Sequence, residues 1–445
     1  MVLFFPLLLL QLTDIKSATI RSGQSRLLEF FLFCGIVVYS HFPAPFFDYV
    51  WDVFLIESIF VFLLSRMFLL QEQWRPYYLW PLRLLMFKLM FCMGVVKFVH
   101  GMPEWRNGMA LQNFWANQPM PGILAWHAAQ LPTMIQKLMV AFVFLVEIPG
   151  PFMIFAGRRA RGLFFLLNLL LQLGIFFAGN YGFFNLLTII VSLSLFDLAP
   201  DSKPVASPPA LIARSRNIFR KAAFYSCSLI LIGWLITSGW YVFRCLFPTE
   251  KYLHETSWIF LENQEQKEVM APTRALLQLY GAAKVSNPYA LFGMISKYRM
   301  EIAIEGSLDG IHWERFDFRV KPQEVTTPPV WYAPHHWRLD HQMYYESFRI
   351  RAPELHLRYS YFLGVKWMHR FTNALFSGDR AVLNLLKSAP FSGTPPEFLR
   401  FTYAYYEFTN YGERAATSAY WKKVAPHKNQ FFELPFRSEE IIRLP

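Results

Sequence analysis

The chain has 445 residues, 54% of them hydrophobic and 17% charged, and carries a net charge of +12. About a quarter of a soluble domain is charged, so much of this chain is membrane-embedded. Much of its basic charge sits in short loops between apolar runs rather than clustered on a polar domain, which speaks against a nucleic-acid binder. The cysteines, Cys34, Cys92, Cys227 and Cys245, lie in or beside apolar segments without CxxC spacing, which speaks against a disulfide scaffold or a zinc site.

Met1–Leu12 is apolar but too short to span a bilayer. Residues 1–26 are expected to be a shortened or partial helical segment. A spanning helix needs about 20 mostly apolar residues. Candidate spans are 27–43, 50–70, 80–99, 134–156, 162–178, 182–198 and 222–246. Basic residues cluster in 13–26 (Lys16, Arg21, Arg26), in 157–161 (Arg158, Arg159, Arg161) and in 199–221 (Lys203, Arg214, Arg216, Arg220, Lys221). The positive-inside rule places these on the cytoplasmic side. Loop 100–133, with its Trp, Pro and Gln, then shares the other side with everything after residue 248. The expected organisation is a multi-pass helical domain over 27–247 and a soluble domain over 248–445.

Polar residues inside the spans are costly and therefore candidates for function. They are Asp52, Glu57, Arg83, Lys88, Lys97, Glu147, Asn180 and Asn185. The structural reading pairs Glu57 or Glu147 with Arg83 or Lys88, and lets Lys97 reach for the interface. Gly179-Asn180-Tyr181-Gly182 is a tight turn whose Asn side chains need hydrogen-bond partners.

Beyond residue 248 long apolar runs stop. Tyr298–Glu305 and Trp313–Val320 alternate polar and apolar residues around Gly306-Ser307-Leu308-Asp309-Gly310, which reads as a β-hairpin. Segments 340–350, 359–376, 379–388 and 395–409 have helical spacing, with Asp379 as a cap and Pro395-Pro396 opening the last. The expected fold class is a polytopic α-helical membrane domain followed by a soluble α+β domain, β-strands first and helices after. No nucleophile–base pair, phosphate loop or metal-spaced cluster is visible, so no cofactor and no metal are expected.

The ordered motifs carry a resemblance. They include Trp51-Asp52 with Glu57, Gly94-Val95-Val96-Lys97, Gly101-x-Pro103-x-Trp105, Gln118-Pro119-Met120-Pro121, and Leu124-Ala125-Trp126 with Gln130-Leu131-Pro132. Glu147, Gly179–Thr188, Tyr289–Gly293, Arg299-x-Glu301 and Glu305–Gly310 follow. Ala333-Pro334-His335, Arg338–Met343 and Tyr405-x-x-Phe408-Thr409 complete the set. From about Trp51 to Trp421 the chain resembles the lipase maturation factor family of multi-pass membrane proteins. It departs from the family pattern at Gln112–Asn117 and at His341, where a Trp is expected.

The resemblance implies a chaperone-like maturation factor for secreted proteins, lipases among them. Its expected location is the endoplasmic reticulum membrane in a eukaryote and the inner membrane in a bacterium. Membrane lipids and client proteins are the expected partners, and nucleic acid is not. Trp105, Gln118, Trp126, Gln130, Arg338, Asp340 and Gln342 are the expected client or interdomain surface. The alternative is a membrane-embedded enzyme. Gly94-x-x-Lys97 followed by Trp105 is similar to a stretch of the vitamin K-dependent carboxylase, which would make Lys97 a base.

Overall fold

The computed structural model describes residues 49–197, 210–247, 271–351, 365–391, 393–424 and 439–443, together with residues 34, 35, 37, 38 and 46. Four stretches among the described residues are helical, long and apolar enough to cross a membrane: Val50–Leu70, Thr133–Phe155, Arg158–Ala178 and Ile218–Leu246. They coincide with four of the expected spans. The segment 184–195 is a shorter apolar helix. Most of the expected span 27–43, and all of the segment 1–26, lie outside the described residues. A membrane-type helical part followed by a small antiparallel sheet with helices is thus the architecture.

The chain forms two compact units that do not follow its order. The first comprises Met1–Arg106, Met139–Gly174 and Phe183–Met294. Here α1 (Val50–Ser65) packs on α2 (Trp80–Val95), whose axis continues through a π-helical turn, Val96–His100. Leu82, Leu85, Met86, Leu89, Met90 and Met93 make α2 an almost wholly buried helix. That central position explains how α2 and its π-helical turn hold three cations, Arg83, Lys88 and Lys97, that lipid would not tolerate. Helices α3 (Ala110–Asn117) and α4 (Ile123–Ala129) belong to the second unit, and α5 (Thr133–Glu147) runs from the second unit into the first. They are followed by α6 (Arg158–Ala178), α7 (Phe184–Ser192), α8 (Ala210–Leu246) and α9 (Ala271–Ala282). Residues 271–294 pack within this first unit, although they follow the last apolar helix.

The second unit comprises Asn107–Leu138, Ile175–Gly182 and Ile295–Pro445. Its sheet has the order β2 (Glu314–Phe316), β1 (Arg299–Ser307), β3 (Phe398–Phe408), β4 (Trp421–Val424), with β5 (Glu439–Arg443) also on β3. The hairpin read from the sequence is present: β1 (Arg299–Ser307) pairs antiparallel with β2 (Glu314–Phe316). Gly310 at φ +73° occupies a left-handed position in the connecting turn. Helix α10 (Arg338–Arg351) and helix α11 (Val365–Phe376) follow. Asp379 caps the short helix after them, accepting from the amides of Ala381 and Val382.

One expectation is corrected. Residues 395–409 do not form a helix. They form β3 (Phe398–Phe408), the central strand. Its seven aromatic or β-branched positions suit a pleated surface, and its residues 398–406 pair with β1, from Arg299↔Tyr406 to Ser307↔Phe398. Aromatic-dense segments match both helical and strand periods, and cross-strand pairing decides between them. Helix α12 (Tyr411–Thr417), β4 (Trp421–Val424) and β5 (Glu439–Arg443) complete the sheet region. Helix α12 opens with a capping box, Asn410 accepting from the Glu413 amide and Glu413 from that of Asn410.

Candidate functional site

Three buried cations of the helical unit, Arg83, Lys88 and Lys97, each meet an acidic side chain. Glu57 on α1 meets Lys88 on α2, and both are inaccessible to solvent. The Glu57 carboxylate accepts from five donors. Lys88 Nζ and Trp234 Nε1 (2.8 Å) reach Oε1. The Asn287 amide (3.0 Å), Asn287 Nδ2 (3.1 Å) and Tyr289 hydroxyl (2.7 Å) reach Oε2. Lys88 also donates to Ser238 Oγ at 3.2 Å and lies 5.0–5.8 Å from the rings of Trp234, Tyr241 and Tyr289. A desolvated cation gains from such ring faces. Asp52, one turn before Glu57 on α1, is likewise buried.

Lys97 does not reach for an interface. It sits in the π-helical turn, buried, with Nζ 2.9 and 2.7 Å from the two oxygens of Glu147 and 3.4 Å from the Met93 carbonyl. The three ammonium donors are therefore engaged. Trp105 covers the pair at 5.7 Å from Nζ and donates Nε1 to the Phe292 carbonyl at 2.7 Å. Phe292 adopts φ +59°, a left-handed backbone rare for an aromatic residue. The Met102 amide bonds the Gly293 carbonyl at 3.0 Å. Two glycines make the geometry accessible. A Cβ at Gly101 would stand 2.0 Å from the Lys97 carbonyl oxygen. A Cβ at Gly94 would lie 2.7 Å from both Glu147 Cβ and Ile148 Cγ1. Gly94→Ala is therefore expected to push α2 from the 147–148 segment and to cost about 1–3 kcal/mol by overpacking. Unfolding in mixed detergent micelles measures it, and an unchanged midpoint would contradict the close approach.

Arg83 takes a third partner. Its Nε donates to the Ser194 carbonyl at 2.7 Å and Nη2 to Asp197 at 2.8 Å. Arg161 donates to the Leu195 carbonyl (3.0 Å) and to both Asp197 oxygens (3.1 and 2.8 Å). Two guanidinium groups thus satisfy the free carbonyls after α7. Asn185 donates to Gln172 Oε1 at 2.7 Å, and Gln172 to Asn168 Oδ1 at 3.3 Å, a polar chain between α7 and α6.

The second unit is organised by Arg299, the first residue of β1. Its buried guanidinium donates to the carbonyls of Ala116 (2.9 Å), Gln118 (2.6 Å) and Pro119 (2.9 Å), and to Glu301 Oε1 (2.7 Å). The rings of Tyr344 and Trp421 lie 5.1 and 5.5 Å from it. Lys321 Nζ approaches Glu301 Oε2 at 3.1 Å and donates to the Ile302 carbonyl at 2.6 Å. The Tyr344 hydroxyl donates to the Asn117 carbonyl. The loop after α3 is thereby fastened to the sheet.

Asn180 is a second fastening. Its Nδ2 donates to the carbonyls of Met120 (3.2 Å) and Val330 (2.8 Å). Its Oδ1 accepts from the amides of Tyr332 (2.7 Å) and Ala333 (3.0 Å). Gln118 Oε1 accepts from the Tyr181 hydroxyl at 2.7 Å. Gln130 Nε2 donates to the carbonyls of Trp126 and Thr409, each at 3.1 Å. Trp126 is buried between Tyr411 (5.1 Å), Tyr420 (5.4 Å) and Arg414 (5.8 Å).

Gln118, Trp126, Asp340 and Gln342 are buried, and Gln130 and Arg338 half-buried. Trp105 belongs to the helical unit. The structure gives these side chains internal partners rather than an open face. Asn287, Trp234, Asp197 and Gln172 were not singled out from the sequence, and Tyr289 entered only within a motif. Arg299 was noticed only within a motif. An i, i+2 pair of opposite charges on one strand face, Arg299 and Glu301, is the signal that marks it.

Asp340 accepts from the amides of Val320 (2.7 Å) and Lys321 (3.2 Å), yet burial pushes its carboxyl above the usual range. His341 is pushed down to about 3 by burial, with Arg338 adding to the effect. His336, 4.6 Å away ring to ring, is pushed down by burial and by His341, Arg338 and His335. A histidine with a depressed folded pKa stabilises above its unfolded value of about 6.5 and loses that contribution as pH falls toward the folded one. For His341 alone the loss is about 2 kcal/mol at pH 5. His341→Phe is expected to flatten the acid limb of stability relative to wild type between pH 7.5 and 5. The comparison cancels the opposite contribution of Asp340, which is shared by both proteins.

Two family models match the chain. The "Lipase maturation factor transmembrane domain" covers residues 14–200 and the "Lipase maturation factor C-terminal domain" covers residues 285–431. The chain is 26% identical to Lipase maturation factor 2 of Gallus gallus, covering 86% of this chain and 64% of that protein. It is 28% identical to Lipase maturation factor 2 of Homo sapiens, covering 77% and 58%. It is 26% identical to Lipase maturation factor 1 of Homo sapiens, with the same two coverages of 77% and 58%. The chain spans about three fifths of the length of these relatives. No solved structure matches it. The ordered motifs and the two matched domains agree: the chain belongs to the lipase maturation factor family.

Proposed function

We propose that the chain is a membrane-bound maturation factor for secreted lipases, acting on the non-cytoplasmic side through its 100–133 loop and its C-terminal domain without making or breaking covalent bonds. The observation that carries this reading is the second unit. It joins residues 107–138 to the C-terminal sheet through Arg299, so that loop and domain offer one folded body to a client. The positive-inside pattern supports that sidedness. A eukaryotic source would place the protein in the endoplasmic reticulum membrane, and a bacterial one in the inner membrane. The buried polar residues Gln118, Trp126, Asp340 and Gln342 shape that body from within, and client contact falls to the side chains around them.

The test is complementation. Cells lacking their own lipase maturation factors, and secreting inactive lipase, receive this chain or a rescuing relative. Recovery of secreted lipase activity is the expected result. No recovery at an expression level equal to that of the relative would overturn the proposal.

A further inference from the structure

We infer that the second unit has a lipid-contacting edge, formed by Leu124, Phe177, Val330 and Trp331, which sits in the headgroup–acyl boundary of the non-cytoplasmic leaflet. The argument starts from α6. Its 21 residues, Arg158–Ala178, rise about 31 Å, which matches the roughly 30 Å of bilayer hydrocarbon. Phe177 is its penultimate residue, so its depth is set at one edge of the hydrocarbon.

Trp331 is fixed against that end. Its indole Nε1 donates to the Phe176 carbonyl at 2.8 Å. Its ring lies 5.4 Å from Phe176 and 5.5 Å from Phe177. The 121–124 segment joins from the other flank. The Gly122 amide bonds the Ala178 carbonyl at 2.9 Å, and a Cβ at Gly122 would lie 3.5 Å from Trp331 Cβ. Four large apolar side chains nonetheless stay open: Leu124 (48%), Val330 (45%), Phe177 (41%) and Trp331 (39%).

The surroundings favour lipid over an aqueous or protein partner. Segments 118–126, 175–187 and 328–334 contain no Asp, Glu, Lys or Arg. Charged side chains are costly at hydrocarbon depth, so stretches free of charge suit an edge that meets lipid. Tryptophan at the end of a span, with an apolar body and a polar N–H, is a residue of the membrane interface. The inference rests on α6 crossing the bilayer, and on no particular client.

The full chain in phosphatidylcholine vesicles tests it. Val330→Cys and, separately, Leu170→Cys are labelled with an environment-sensitive fluorophore. The unsubstituted chain, carried through the same labelling, supplies the background of its native cysteines. Leu170 is exposed midway along α6 and reports whether that helix lies in lipid. The expected result is loss of emission for both labels in brominated phospholipid, with little loss for either in aqueous iodide. Lipid quenching of the Leu170 label alone, with iodide quenching at Val330, would overturn the lipid edge and leave the patch to a protein partner. Iodide quenching of both would overturn the inference together with the span it rests on.

Discussion

Replacing Lys88 with Met is expected to destabilise the chain by about 3–5 kcal/mol, because it leaves a buried carboxylate without its opposite charge. Glu57 keeps four neutral donors after the change, from Trp234, Asn287 and Tyr289. They soften the loss but supply no net charge. Glu57→Gln is expected to cost at least as much. In either amide orientation the new NH2 group faces donors that cannot accept: Lys88 and Trp234 on one side, the two nitrogens of Asn287 on the other. Two donors brought together in a dry site leave each without an acceptor, at about 1–3 kcal/mol per group.

The double substitution Glu57→Gln with Lys88→Met separates the pair from its surroundings. Removing both charges cancels the uncompensated ion, so the double variant should be less destabilised than the sum of the single ones. Unfolding midpoints in mixed micelles give the coupling. Strict additivity would mean that the two side chains stabilise the fold independently, contrary to the contact between them. Asn287 and Tyr289 lie in the first five residues of the C-terminal family domain, which begins at 285. They nonetheless pack in the helical unit. The Glu57 cluster therefore anchors the start of that domain within the helices, and its loss should loosen residues 285–294 in hydrogen exchange.

Local signals in the sequence carried a good part of this architecture. Alternation and an Asp-Gly turn located β1 and β2, and an acidic residue after Gly378 marked a helix cap. Length and hydropathy located four membrane-type helices. Pairings between distant residues were less legible. Glu57 and Glu147, Arg83 and Lys88 were recognised as charges needing partners, but which side chain meets which depends on helix rotation and packing. Glu147 takes Lys97, and Arg83 takes Asp197 beyond α7. Lys97 alone looked free to reach an interface, because the π-helical turn that draws it inward has no signature in its residues. The strand β3 was misread as helical for a related reason. Its aromatics satisfy both periods, and only pairing with β1 distinguishes them. Asn287 and Tyr289 lie in a short polar stretch with no periodicity, so nothing local pointed to Glu57 some 230 residues earlier.

Arg299→Lys is expected to behave as a severe variant rather than a conservative one. The guanidinium reaches three backbone carbonyls and one carboxylate at once, using Nε, Nη1 and Nη2 in a planar fork. A lysine ammonium has three donors on one atom and no fork. It cannot serve Ala116, Gln118 and Pro119 while also meeting Glu301. Arg299→Met removes the cation altogether and leaves Glu301 to Lys321 alone. Breaking a buried ion pair in this way costs about 3–5 kcal/mol, and Arg299→Lys should fall within the same range. The two variants should share a local signature. Amides between residues 110 and 120 should lose hydrogen-exchange protection, whereas those of the Glu57 cluster in the helical unit should keep it. If the joined loop and sheet form the client-handling body, secreted lipase activity in the complementation assay should fall in step with that protection. Loop 110–120 remaining protected in both variants would show that Arg299 does not hold it. Lost protection with full lipase rescue would show that the fastening is structural and that clients are handled elsewhere on the chain.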